Sequence, residues 1–424
     1  MGSDQTRHRV PNGQRAMNRR LQAGLSLIEL MVALLLSTVL VLGLIEIFSA
    51  SRASYLMAQG LSRAQESSRF AIDSLQRDVR MSGHFGCVSD QAHFYAGNGA
   101  FGELFLSNRA DFNAIPAERE ALRFDYSIRG YEARTTAPND SLAISATPAA
   151  GAAADWVPAL PDAFLSGAQR LQPAPIRGSD ILMLRFLSPE SAEVTGFTTG
   201  NPATISVNAA QWPVLTAAMP TPGIFGIADC RSAVMFQASA VTTGAGAVQI
   251  TVRNTGVNQI AFDGSDTFAS GQARLYRAES FVYYIGLNPA GEPTLFRARL
   301  NVPPGSAGVV LDTGLAEEVV EGVENMQLLF AQDIVTNPAQ APTGVINGIR
   351  TAAGLLPDSN SQAGWQRVGG VQVGLLVRGN DRAAAEQKTA PTRSLGTRLQ
   401  LPADGRYRSV YETNIALRNR LYGN

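Results

Sequence analysis

Residues 20–50 read RLQAGLSLIELMVALLLSTVLVLGLIEIFSA, and this stretch decides the fold. A basic leader ends at Gly24, and an apolar run follows at once. At ~1.5 Å per residue, a helix from Leu25 to Ile45 crosses the ~30 Å of hydrocarbon in a bilayer. Glu29 is the one carboxylate inside the run, and the next charge is Glu46. A charge at that depth is costly, which makes Glu29 a functional-site candidate.

Gly24 followed by Leu25-Ser26-Leu27-Ile28-Glu29 resembles the processing site of class III, type IV pilin-like signal sequences. The resemblance implies that a prepilin peptidase cuts between Gly24 and Leu25 and N-methylates Leu25. Phe is usual at that first position, and Leu25 departs from it. Glu29 stands at the family's acidic position, which pairs with the terminal amine of a neighbouring subunit. The physics agrees. After cleavage the Leu25 amine is a cation at a helix start, with Glu29 one turn further along. In low dielectric each charge is expensive alone and tolerable when paired. Pairing between adjacent subunits rewards a staggered, filament-like packing of these helices.

Two other readings compete. A plain membrane anchor would let Glu29 snorkel or protonate near the interface. An ordinary secretory signal would be cut near Ala50-Ser51, but the run exceeds the ~7–15 residues of a normal apolar region and Glu29 interrupts it. The leader carries Arg7, Arg9, Arg15, Arg19 and Arg20 against Asp4, which sets a cytoplasmic N-terminus. Met17 offers a second start, since MNRRLQAG is itself a compact basic leader.

The 424 residues have formal net charge zero and are 45% hydrophobic. That permits one large or two modest domains, and neutrality argues against bulk binding to nucleic acid. The two cysteines, Cys87 and Cys230, fall on the expected outer side, where a disulfide is the simplest reading and two buried thiols the alternative.

From Ser51 to Ser82 there is no proline, and Leu61, Ala64, Ser68, Ala71, Ile72, Leu75 and Val79 recur at three- and four-residue steps. One apolar stripe on an otherwise polar helix is expected, with Arg63, Glu66, Arg69, Asp73, Arg77, Asp78 and Arg80 on the other faces. Gly83 is the expected stop. The period then changes to two. Strands are expected around Leu122–Tyr126, Ile181–Leu187, Val234–Ser239, Val248–Arg253, Leu275–Leu287, Thr294–Asn301, Val371–Val377 and Tyr411–Leu417. Asn288-Pro289-Ala290-Gly291 marks a hairpin. Thr147–Pro161 and Thr336–Trp365 read as exposed loops. The expected organisation is a leader over 1–24, an apolar half-helix over 25–50, an amphipathic half over 51–83 and a periplasmic head over 84–424. The fold class is α+β and pilin-like, a long N-terminal helix packed on an antiparallel sheet-rich head.

Further patches resemble PilW-type minor pilins. They are Arg69-Phe70-Ala71-Ile72, Asp78 to Cys87, Asp229-Cys230, Val320-Glu321-Gly322-Val323-Glu324, and Asp404 to Arg408 with Ala416 to Arg420. The resemblance implies a structural subunit without cofactor. It implies co-assembly with other minor and major pilins in a tip complex that primes growth, on the inner-membrane assembly platform, with a PilY-type adhesin. Twitching motility and attachment follow from the same implication. A J-type minor pseudopilin of type II secretion shares the same N-terminus, and a tip-exposed surface- or DNA-binding module is a further alternative.

Enzymatic readings have little support. Gly97-x-Gly99-x-x-Gly102 lacks the strand–turn–helix setting of a dinucleotide site. His84 and His93 have no zinc-ligand spacing around them. His84 is expected to serve the helix C-terminus. Asp263-Gly264-Ser265-Asp266 reads as a turn rather than a calcium loop. Arg406, Arg408, Arg418 and Arg420 read as the charged face of an edge strand.

Overall fold

A computed structural model describes residues 26–89, 103–106, 117–217, 219–334, 343–360, 362–382 and 392–420. Gly24, Leu25, His93 and the Gly97–Gly102 loop lie outside them. The chain divides into two units, Met1–Ser54 and Tyr55–Asn424.

The first unit is the start of helix α1, which runs over Leu27–Met81. Apart from Glu29, Ser37, Thr38 and Glu46, its side chains from Leu27 to Phe48 are apolar on every face and exposed, Leu27 by 77% and Phe48 by 71%. A helix apolar on every side needs an apolar surround. The hydroxyls inside it turn back on the helix. Ser37 Oγ donates to the Ala33 carbonyl at 2.7 Å and Thr38 Oγ1 to the Leu34 carbonyl at 2.6 Å. No free polar group is left there to lipid by these two residues.

The second unit is the rest of α1 and a predominantly antiparallel, sheet-rich head, an α+β architecture. Its main strands are β1 (Ile128–Ala133), β2 (Ile181–Thr198), β3 (Ala203–Asn208), β4 (Ile224–Ala228), β5 (Ala233–Gln237), β6 (Ala240–Thr243), β7 (Ala247–Val252), β8 (Arg274–Leu287), β9 (Pro293–Asn301), β10 (Glu317–Glu321), β11 (Val323–Gln332), β12 (Gly348–Arg350), β13 (Val368–Arg382) and β14 (Arg406–Ala416). The large sheet runs β6-β7-β3-β2-β8-β4-β5, with β9 beside β8 and β1 beside β2. A four-stranded sheet runs β12-β11-β13-β14. The Asn288 turn closes the β8–β9 hairpin, with Leu287 opposite Pro293.

The first half of β2 is apolar on both faces because each face enters a different core. Ile181, Met183 and Leu187 enter a core with Tyr131, Trp156 and Phe164. Leu182, Leu184 and Phe186 enter a second core with Ala64, Ala71, Leu75 and Val79 of α1 and the inner faces of β11, β13 and β14. A third, aromatic-rich core of Phe197, Phe225, Phe236, Phe262 and Phe268 lies under β3 and β7.

Three expectations need correction. The alternating Leu122–Tyr126 run is not a strand: Ala117–Leu122 is a 3-10 helix and β1 begins at Ile128. Leu122 and Phe124 are buried nonetheless, in one core with Tyr131 and Trp156, and Tyr126 in the core under α1, while Arg123 folds onto Asp125 at 2.7 Å. The expected loops near 147–161 and 336–365 each deliver a fully buried tryptophan. Trp156 Nε1 donates to the Ser179 carbonyl at 2.9 Å, and Trp365 meets the Phe330 ring edge-on at 5.1 Å.

Candidate functional site

The start of α1 is a reciprocal cap. The Ser26 amide donates to Glu29 Oε2 at 3.0 Å, and the Glu29 amide donates to Ser26 Oγ at 3.2 Å. This capping box satisfies two amides of the first turn and fixes the Glu29 carboxylate over the positive end of the helix. Gly24 and Leu25, the expected cleavage and methylation positions, lie outside the described residues.

The second half of α1 is seated in the head at several points. Gly60 is buried, and a Cβ built on Gly379 of β13 would stand 3.1 Å from its Cα. Two glycines thus let a strand and a helix backbone touch. Ala64, Ala71, Leu75 and Val79 are fully buried. Asp78 departs from the sequence reading: it is 6% exposed, not part of a solvated face. Tyr283 Oη donates to its Oδ2 at 2.5 Å and Arg297 Nη1 at 2.9 Å, and Arg297 also meets Glu317 at 2.6 Å. Burial and the negative charge of Asp78 push the Tyr283 hydroxyl well above its ordinary pKa, so it remains a donor. Gln76 Nε2 reaches Thr413 Oγ1 at 3.2 Å.

The helix stops at Gly83, whose φ of +78° suits glycine. Its amide donates to the Arg185 carbonyl, and Ser82 Oγ donates to the Ser127 carbonyl at 2.8 Å. His84 does not serve the helix end. Its Nδ1 lies 2.9 Å from the Leu187 carbonyl, and its ring meets Tyr276 edge-on. The C-terminal segment supplies the cap: Asn419 Nδ2 donates to the Arg80 carbonyl at 3.0 Å and lies 3.4 Å from those of Met81 and Ser82. No local signal announces a cap from 339 residues away.

Just beyond the helix, Cys87 and Cys230 form a disulfide with Cα atoms 4.8 Å apart. The Cys230 side is itself an ordered turn, in which Asp229 Oδ1 accepts from the Arg231 and Ser232 amides.

Two ion networks brace this seat. Arg185, fully buried, donates to Glu120 Oε1 at 2.8 Å, and Arg129 donates to Glu120 Oε2 at 3.1 Å. Burial alone would raise the Glu120 carboxyl, but Arg129 and Arg185 bring it below its ordinary value. The strand that carries Arg406 and Arg408 is the edge strand β14, as expected, but the second network buries Arg408 where a solvated charge was expected. The Arg408 side chain is 0% exposed and grips Glu324 at 2.6 Å and Asp404 at 2.6 Å. Arg378 reaches Glu324 at 2.9 Å and also Glu292, which Arg406 meets at 3.4 Å. Hydrogen bonds from Arg408 hold the Asp404 carboxyl down at about 2. Asp180 is the opposite case. It accepts from the Ala133 and Leu328 amides at 2.8 Å, bridging β1 and β11, and burial pushes its carboxyl well above the usual range. Among the described residues no three His, Cys, Asp or Glu side chains converge as a metal site requires.

Residues 19–45 match the Prokaryotic N-terminal methylation motif, and residues 282–419 match Type IV Pilus-assembly protein W. Its two ends match a PilW-type minor pilin with a class III signal. The second match holds most of the helix seat: Tyr283, Arg297, Glu317, Gly379, Thr413 and Asn419 all fall inside it. One match is to a methylation motif and the other to a pilus-assembly protein, and together they support a minor-pilin role with membrane anchoring and contact with other pilus components. No curated protein and no solved structure matches the chain.

Proposed function

We propose that the chain is a minor pilin that co-assembles with other minor pilins in the tip complex priming a type IV pilus, on which twitching motility and attachment depend. The observation that carries this is the pairing of a methylation motif at one end with the PilW match at the other, across the strands that seat the helix. In this reading the prepilin peptidase cuts after Gly24 and methylates Leu25. Before assembly the basic leader is cytoplasmic, α1 crosses the inner membrane once and the head is periplasmic. Glu29 pairs with the Leu25 amine of a neighbour, and that carboxylate is already held at the first turn by Ser26. A PilY-type adhesin is the further partner.

The test is mass spectrometry of the N-terminus from native membranes, with pilus incorporation of Glu29→Ala alongside. The expected results are a mature chain beginning with methylated Leu25, and a Glu29→Ala protein that is cleaved but poorly incorporated. A mature chain starting elsewhere overturns the processing site, and normal incorporation overturns the role of Glu29. Deletion is expected to abolish twitching. Loss of exoenzyme secretion in its place would assign the chain to type II secretion.

A further inference from the structure

One cavity of the head plays no part in seating α1. It has a volume of about 290 Å³ and is lined by the end of the short strand Ser141–Ala143, which pairs in parallel with Thr397–Gln400. That volume lies near the lower end of the ~300–1,000 Å³ of small-molecule sites, room for one small ligand. Arg134 and Thr135, which follow β1, form one wall, and Arg177 and Gly178, just ahead of β2, form another. Among the described residues neither arginine has a carboxylate partner. Arg134 donates through Nε to the Ala154 carbonyl, which sets its direction and leaves the two Nη groups over. Two carboxylates share the lining. Glu324 belongs to the network in which Arg378, Arg406 and Arg408 balance Glu292, Glu324 and Asp404, so it adds no net charge. Asp155 is tied to Arg134, whose amide donates to the Asp155 carbonyl at 2.9 Å, and its Oδ2 accepts the Ala152 amide at 2.8 Å. Two unpaired arginines against Asp155 leave the cavity about one positive charge in excess. Thr135 holds φ at +60°, a left-handed conformation that is an outlier for a β-branched residue and that clusters where ligands are held.

We propose that this cavity binds a sugar acid, one carboxylate on a hydroxyl-bearing ring, with Arg134 and Arg177 on the carboxylate and Asp155 on the ring hydroxyls. A guanidinium presents its donors in a planar fork that matches a carboxylate. An excess of one positive charge suits a monoanion better than a phosphate, which carries nearly two negative charges at neutral pH. Asp155 is an acceptor with no use on a simple anion but a direct use on a hydroxyl donor. Leu142, Ile144 and Ile176 supply apolar lining for the C–H face of the ring. The inference goes beyond the pilin reading and does not depend on it, because every residue it uses lies in the head.

The test is a saturation-transfer NMR titration of the full chain in detergent with D-galacturonate and D-glucuronate. At least one of the two is expected to bind. D-galactose, which lacks the carboxylate, is expected to bind at least about tenfold more weakly, the low end for losing a charged hydrogen bond. Arg177→Ala and Arg134→Gln are each expected to lower uronate affinity about tenfold, while Arg253→Ala, an exposed arginine outside the cavity, leaves it unchanged. Arg134 and Arg177 are exposed, and an intact Cys87–Cys230 disulfide with a wild-type unfolding midpoint verifies the fold of each variant. No binding of either uronate, equal binding of galactose, or unchanged affinity in both cavity variants overturns the site. Tighter binding of galactose 6-phosphate, or of acetyl-trialanine through its terminal carboxylate, overturns the sugar acid as ligand. Trigalacturonate separates the two sources of the same chemistry. Tighter binding than the monomer makes an acidic polysaccharide the source and equal binding makes it the free acid, and either supports the site. Binding of the trimer alone overturns the cavity, because a chain laid across the surface would then account for it.

Discussion

Asp78→Ala is the sharpest test of how the helix is held. The substitution removes an acceptor that takes the Tyr283 hydroxyl at 2.5 Å and the Arg297 guanidinium at 2.9 Å, at a position 6% exposed. Hydrogen bonds to a charged group contribute about 1.5–3 kcal/mol each. Stranding a buried partner raises the cost, while Glu317 still holds Arg297 and lowers it. The expected loss is about 3 kcal/mol. It is measured by urea unfolding of the fragment 55–424, followed by tryptophan fluorescence. Asp73→Ala, five positions earlier and exposed, is expected to change stability by less than about 0.5 kcal/mol. Tyr283→Phe alone is expected to cost about 1–2 kcal/mol, and the double mutant to cost less than the sum by about 1 kcal/mol or more. If Asp78→Ala and Asp73→Ala unfold at the same urea concentration, the buried anchor is refuted.

Replacing Cys87 and Cys230 by Ser opens a loop of 143 residues. The chain-entropy model gives a loss of about 5 kcal/mol, measured as a fall in the unfolding midpoint against the oxidised wild type. Gly379→Val drives a side chain into the Gly60 backbone, where even a Cβ has only 3.1 Å, and is expected to cost about 1–3 kcal/mol in the same unfolding assay. Asp404 has a folded pKa of about 2, below the ordinary ~3.9 of an unfolded aspartate. Its contribution is therefore present above about pH 4 and lost as pH falls towards 2. Asp404→Asn should flatten the dependence of stability on pH in that window, and an unchanged slope would contradict the Arg408 contact.

The sequence by itself determined the elements and their order. The unbroken apolar run sets the first half of α1, the three- and four-residue recurrence through Leu75 and Val79 sets the buried stripe, the short apolar run Ile181–Leu187 sets the start of β2, and period-two runs set β9 and β13. Each is a local periodicity, fixed by how side chains leave a helix or a strand. Glu29 stands out in the sequence as the one carboxylate of that run, and the structure adds its local role in the reciprocal cap with Ser26.

Only the tertiary structure decided which polar residues are buried. Asp78 and Arg408 look like solvated charges until Tyr283, Arg297 and Glu324 arrive from far along the chain. The same holds for Asn419, which caps α1, and for Trp156 and Trp365, which turn two loop-like segments into parts of the core. The physical reason is that burying a charge or a polar group is set by the partner that satisfies it. Partners distant in sequence leave no periodic trace near the residue they meet.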